Sequence, residues 1–172
     1  MDKRIAVAVA ALIGIVAPAG AGAQGPTVIV GNTAPYMDQG IIPKGILAEC
    51  KLPEQVIDVL QEQAKHEGIT VVRSDDAVKA GKGRILIVEI VSATGGGNAW
   101  TGRSNMVSVK GRLTENGADL GNFSATRTSG GGAFGGFKGG CSILGRCAKA
   151  LAIDITKWLK SPTKDARLGE NR

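Results

Sequence analysis

The segment Arg84-Ile-Leu-Ile-Val-Glu-Ile-Val91 carries apolar side chains on both sides of an extended backbone. A strand of that kind loses contact with water on both faces only in the middle of a sheet, so this run predicts a central strand. Its expected neighbours are half-buried strands. In Asn105–Leu113, Val107, Val109 and Leu113 alternate with Ser108, Lys110 and Arg112, and Gly111 falls in the inner row, where it leaves room for a neighbour. Asn116-Gly117 is the dipeptide of a two-residue hairpin. After it, Asp119–Ser129 returns with Phe123 and Ala125 inward against Asn122, Ser124 and Thr126 outward.

Upstream, Thr27–Val30 is a short β-branched run followed by a stretch rich in Gly, Pro and Asn up to Glu49, which reads as an edge strand and a long loop. From Pro53 to Glu67 the apolar residues Val56, Val59, Leu60 and Ala64 recur at helical spacing, and Gly68 supplies the stop. Ile69–Arg73 then reads as a strand, completing a strand–helix–strand crossover, and Ser74–Gly83 as a polar surface loop. Downstream, Ser142 can cap a helix with the stripe Ile143, Leu144, Cys147, Leu151, Ile155, Trp158 and Leu159, ended by Pro162. The expected fold is α+β, with one four- to five-stranded, mostly antiparallel sheet and two helices packed on one face.

Residues 1–23 have the layout of a cleaved signal peptide: Lys3 and Arg4, an apolar run from Ile5 to Val16, and a small-residue stretch ending at Ala23. The apolar run is too short to remain as a membrane span, so no transmembrane segment is expected in the mature chain. Residues 24–160 are expected to form a single domain, and 161–172 a disordered tail with little to bury. The product is expected in the periplasm or outside the cell. Net charge is +6 for the whole chain, and loss of Asp2, Lys3 and Arg4 with the leader lowers it by one. A basic balance leaves contact with anionic lipid or lipopolysaccharide open. With only six aromatic residues, a stacking platform for single-stranded nucleic acid is not expected.

An exported chain meets oxidising conditions, so Cys50, Cys141 and Cys147 are disulfide candidates before they are metal ligands. Cys141 and Cys147 are close in sequence at the start of a helix, where the preceding residues can fold back toward its second turn, so this pairing is favoured and leaves Cys50 as the free thiol. Pairing of Cys50 with either of the others stays open. A free Cys50 would be the centre of the alternative reading, a thiol-based redox or enzymatic protein.

Other motifs fail on context. Gly97–Ser104 has the spacing of a phosphate loop, with Arg103 where lysine belongs, but the following residues alternate as a strand and open no helix. Gly130, Gly132 and Gly135 spell a dinucleotide fingerprint whose helix starts too late and is followed by no further strand. His66 is the only histidine, at the end of a helix, and with the three cysteines it lacks the close paired spacing of a zinc site. Asp75-Asp76 read as solvated turn residues. No catalytic set, metal or cofactor is expected. What remains is a contact surface: Lys110 and Arg112 on the polar side of the sheet, with Trp100, Phe134 and Phe137 on loops.

The stretch Gly135-Gly-Phe-Lys-Gly-Gly-Cys-Ser-Ile-Leu-Gly-Arg-Cys-Ala-Lys-Ala-Leu151, with Asp154-Ile155 and Trp158-Leu159, resembles a group of small exported proteobacterial proteins of unknown function. The order of elements also resembles the α/β domains of outer-membrane accessory proteins of the CsgG, LpoB and transport-auxiliary kind. These resemblances imply a non-enzymatic binding or assembly role in the cell envelope, with an envelope protein as partner. Accessory proteins of that kind carry a lipid on a cysteine, and none stands at the expected cleavage point here.

Overall fold

In a computed structural model of the chain, residues 25–98, 102–130 and 139–170 are described. The leader, Trp100, Phe134, Phe137 and the dinucleotide-like glycines 132 and 135 lie outside them. Four helices and a six-stranded mixed sheet make one α+β layer pair. The sheet strands are β1 (Thr27–Val30), β2 (Thr70–Arg73), β3 (Arg84–Asn98), β4 (Gly102–Glu115), β5 (Ala118–Gly130) and β6 (Ala166–Gly169), in the spatial order β2-β1-β3-β4-β5-β6. The helices are α1 (Lys44–Glu49), α2 (Leu52–His66), α3 (Asp75–Ala80) and α4 (Gly140–Lys160).

The central strand lies between β1 and β4 as expected, but only one of its faces is closed off, since Ile87 on the other is 43% exposed. Antiparallel β3–β4 and β4–β5 pairs form the sheet's long spine, and Asn116 and Gly117 take the positive φ values of 49° and 87° that a tight hairpin demands. Gly111 pairs with Phe123, and a β-carbon at Gly111 would overlap the Phe123 ring. That ring also meets Trp158 of α4 edge-on, 4.9 Å between centroids. Leu86, Val88 and Ile90 of β3, Val107, Val109 and Leu113 of β4, and Phe123 and Ala125 of β5 form the buried side of the sheet. Helices α2 and α4 pack against that side and against each other, contributing Val56, Leu60, Leu144, Leu151 and Ile155 to the same core.

Five expectations change. The sheet is not mostly antiparallel with four or five strands: β1 pairs in parallel with both β2 and β3, and β6 in parallel with β5. Strand β1 is internal, because β2 returns through α2 to take the edge. The polar segment after Arg73 holds α3, whose first turn is capped by Ser74 Oγ accepting from the Ala77 N–H. Helix α4 begins at Gly140, so Ser142 lies inside it and is no cap. The C-terminal segment expected to be disordered supplies β6, which lies beside β5 from Phe123↔Ala166 to Thr126↔Gly169. Glu170 fastens it, one carboxylate oxygen accepting from the Thr128 N–H at 3.0 Å and the other from Thr128 Oγ1 at 2.7 Å.

Candidate functional site

The sheet has one side under α2 and α4 and one side turned away from them. On the outward side β-strand alternation places Ile87 and Glu89 of β3, Ser108, Lys110 and Arg112 of β4, and Asn122, Ser124 and Thr126 of β5 in adjoining rows. Lys110 and Arg112 are exposed, as expected from the sequence, and Ile87 keeps 43% of its surface in water. A shallow depression of about 360 Å³ runs across these rows between Ile87 and Asn122. Its charge is mixed. Lys110 stands directly opposite Glu89 in the register, and Arg112 Nε lies 3.5 Å from an Asp119 carboxylate oxygen. Ser108 and Thr126 close a cross-strand hydroxyl pair at 2.8 Å.

The cysteines fall differently from the favoured pairing. Cys50, at the end of α1, is bonded to Cys141 in the first turn of α4, with 5.2 Å between their α-carbons. Cys147 is the free thiol and is buried. The reason is helical geometry: Cys141 and Cys147 both lie within α4, six residues apart and so about 9 Å apart along its axis, beyond disulfide reach. Cys147 Sγ donates instead to the Asn105 carbonyl at 3.4 Å, and burial pushes its thiol pKa up, away from the reactive thiolate. Cys50, held in the bond, is therefore not the free thiol that the sequence suggested.

The sequence reading missed a groove beside this bond. Gly95 and Gly96 of β3 form one wall, α1 with Ile46 and Glu49 the other, and Leu144 and the disulfide line it between them, enclosing about 300 Å³. Asn105, only 1% exposed, lies under it and donates from Nδ2 to the Gly140 carbonyl at 2.9 Å, which ties β4 to the start of α4. Nothing in local periodicity marks these residues as neighbours, since they come from four separate elements.

A second buried polar feature is structural. Arg127 of β5 reaches Asp154 of α4 with two hydrogen bonds, Nε at 2.8 Å and Nη2 at 2.9 Å, and the Asp154 side chain is 4% exposed. The paired carboxylate raises the Arg127 pKa further. Such a bidentate pair satisfies both partners and leaves no free acid or base for catalysis. Asp75 is occupied as well: Asn32 donates to it from the backbone at 2.9 Å and from Nδ2 at 2.6 Å, holding its carboxyl below the usual range. His66 is exposed at the end of α2, and among the described residues no group of His, Cys, Asp and Glu is arranged to hold a metal. No helix among them is long and apolar enough to cross a membrane. The residues that follow the Gly97–Ser104 phosphate-loop spacing continue as β4, with no helix to present N–H groups to a phosphate.

No family model matches the chain, and neither does any curated protein. Solved structures do share its architecture. A Xanthomonas campestris protein assigned to DUF330 superposes with a TM-score of 0.55 at 8% identity, covering 78% of this chain and 83% of that one. A minor lipoprotein from Acinetobacter baumannii superposes with a TM-score of 0.50 at 10% identity, covering 79% and 93%. The PelC dodecamer from Paraburkholderia phytofirmans reaches 0.47 at 15% identity, covering 76% and 89%. The expected resemblance to CsgG and LpoB domains is not shown by these superpositions. What the chain has in common with the Xanthomonas and Acinetobacter proteins is its fold.

Proposed function

We propose that this chain is a non-enzymatic accessory protein of the bacterial cell envelope, exported behind residues 1–23, that holds an envelope protein on the outward side of its sheet. The observation that carries the reading is the two-sided sheet itself: one side is closed by α2 and α4, while the other presents Ile87, Lys110, Arg112 and Asn122 around a shallow depression. An exposed isoleucine beside polar groups of both signs suits recognition of a protein surface. The Cys50–Cys141 bond fits an oxidising compartment, and the Acinetobacter relative in fold is a lipoprotein, which points toward the envelope. Direct binding to anionic lipid is less supported on this surface, because Glu89 and Asp119 stand beside Lys110 and Arg112.

The test is crosslinking in the native envelope with the double variant Lys110→Glu, Arg112→Glu. The expected result is loss of a partner that the native protein captures. Recovery of every partner unchanged removes this surface from the reading. Sedimentation with anionic vesicles that persists at low salt and vanishes at high salt would favour lipid instead.

A further inference from the structure

Strand β3 is hydrogen-bonded on both edges only in its first half. Its edge toward β1 is covered by the Ile29↔Ile85 pairing and then by the Pro35–Met37 segment, where the Ile90 N–H donates to the Pro35 carbonyl at 2.8 Å and the Met37 N–H to the Ile90 carbonyl at 2.9 Å. A register shift follows between Ile90 and Ser92. From Ser92 to Asn98 the strand goes on pairing with β4, from Ser92↔Ser108 to Asn98↔Gly102, while no backbone among the described residues bonds to its other edge. That leaves a seven-residue stretch, roughly 20 Å long at strand spacing, whose N–H and C=O groups along one side have no backbone partner among the described residues.

Among the described residues nothing pairs with this edge. Thr94, Gly95 and Gly96 are exposed, and neither proline nor lysine occurs between Ser92 and Asn98 to discourage pairing. The groove over the Cys50–Cys141 bond runs alongside Gly95 and Gly96, with Ile46 and Leu144 as its apolar lining. It continues past the disulfide into a second depression that shares Glu49, Cys50 and Cys141 and adds Lys51, Glu54 and Asp58, so that three carboxylates face one ammonium there. Asp58 is paired with Arg73 at 2.8 Å, while Glu49 and Glu54 form no ion pair among the described residues. An edge without a backbone partner among the described residues, an apolar slot and a depression with more carboxylates than cations therefore follow one another along a single path.

We propose that the edge of β3 from Ser92 to Asn98 accepts an extended, basic segment of a partner protein as an added strand. The segment's backbone pairs with β3, a small aliphatic side chain enters the slot over the disulfide, and a lysine or arginine meets Glu49 and Glu54. This surface is separate from the outward side of the sheet, so the two readings stand or fall independently.

The probe is a capped synthetic peptide of alternating alanine and valine ending in two lysines, added to the oxidised protein and followed by amide hydrogen exchange. Binding is expected to slow exchange at the amides of 92–98 by about tenfold or more, and N-methylation of alternate peptide residues to weaken it by about tenfold or more. Gly45 on α1 is exposed, and an added β-carbon there meets only Glu49 Oε1, at 4.0 Å. Gly45→Trp should therefore fill the groove and weaken the peptide by a similar factor, while Gly45→Ala binds like the native protein. Glu49→Gln with Glu54→Gln should weaken it less and remove its salt dependence. The proposal is overturned if the unmodified peptide does not bind, if it binds without protecting 92–98, or if the N-methylated peptide binds as tightly. Protection of those amides that grows with protein concentration in the absence of peptide also overturns it, by assigning the edge to a second copy of the chain.

Discussion

Asp154 stands in the apolar stripe of α4 and is tolerated there because Arg127 meets both of its carboxylate oxygens. Removing only the aspartate takes away two charge-assisted hydrogen bonds from an Arg127 side chain that is 32% exposed, so Asp154→Ala is expected to lower stability by about 1–3 kcal/mol in urea unfolding, whereas Asp154→Leu with Arg127→Met should come closer to the native value. Inward placement of Arg127 follows the alternation that puts Phe123 and Ala125 inside, yet the identity of its partner is set by how α4 lies across the sheet, which no local pattern encodes. Cys147 gives a second expectation at this scale. Its thiol is buried and its pKa raised, so iodoacetamide should leave it unmodified in the native protein at neutral pH and label it once denaturant is added. The sign for stability follows from the same shift: the unfolded thiol ionises first, so the contribution is complete below the unfolded pKa and declines as pH rises from there through the folded value. Labelling of native protein at the denatured rate would contradict the burial.

Among the elements, those with long periodic patterns were readable and those fixed by distant partners were not. The β3–β4–β5 meander, α2 and α4 follow from alternation and helical spacing, and Gly111 was placed correctly as the gap that the Phe123 ring fills. Gly111→Ala is accordingly expected to cost about 1–3 kcal/mol in thermal or urea unfolding, with part of the loss restored by Phe123→Leu. By contrast α3 is a six-residue helix held by a Ser74 cap and an Asp75–Asn32 contact, and β6 is a four-residue strand held by Glu170 on Thr128. Such short pieces have too few residues for a period to register. The Thr128 hydrogen bonds keep the Glu170 carboxyl below its ordinary range, so their contribution is present above the unfolded pKa and is lost as pH falls through the folded one. The protection of the 166–169 amides, taken as the intrinsic rate at each pH divided by the observed rate, should therefore fall on acidification, and Glu170→Gln should flatten that dependence.

Across the whole molecule, the cysteine pairing shows where sequence proximity misleads. Two thiols six residues apart look close until a helix carries both, and then a cysteine 91 residues away becomes the neighbour. A loop of that length makes the bond a substantial restraint on the unfolded chain: Cys50→Ser with Cys141→Ser is expected to lose about 2–4 kcal/mol, read by guanidinium unfolding. The candidate contact residues Lys110 and Arg112 were legible because strand alternation alone exposes them. The groove was not, because it is assembled from β3, β4, α1 and α4.

Every strand from β2 to β5 lies between the two ends of that covalent loop. In a chain made from its amino end, Cys50 is available long before its proper mate, and Cys147 follows close behind as a decoy. Selection between the two falls to the sheet, which hides one sulfur under Asn105 and leaves the other at the rim. Closure of the Cys50–Cys141 bond, whose two electrons and two protons pass to an external oxidant, thus waits until the first turn of the last helix lies beside the end of α1.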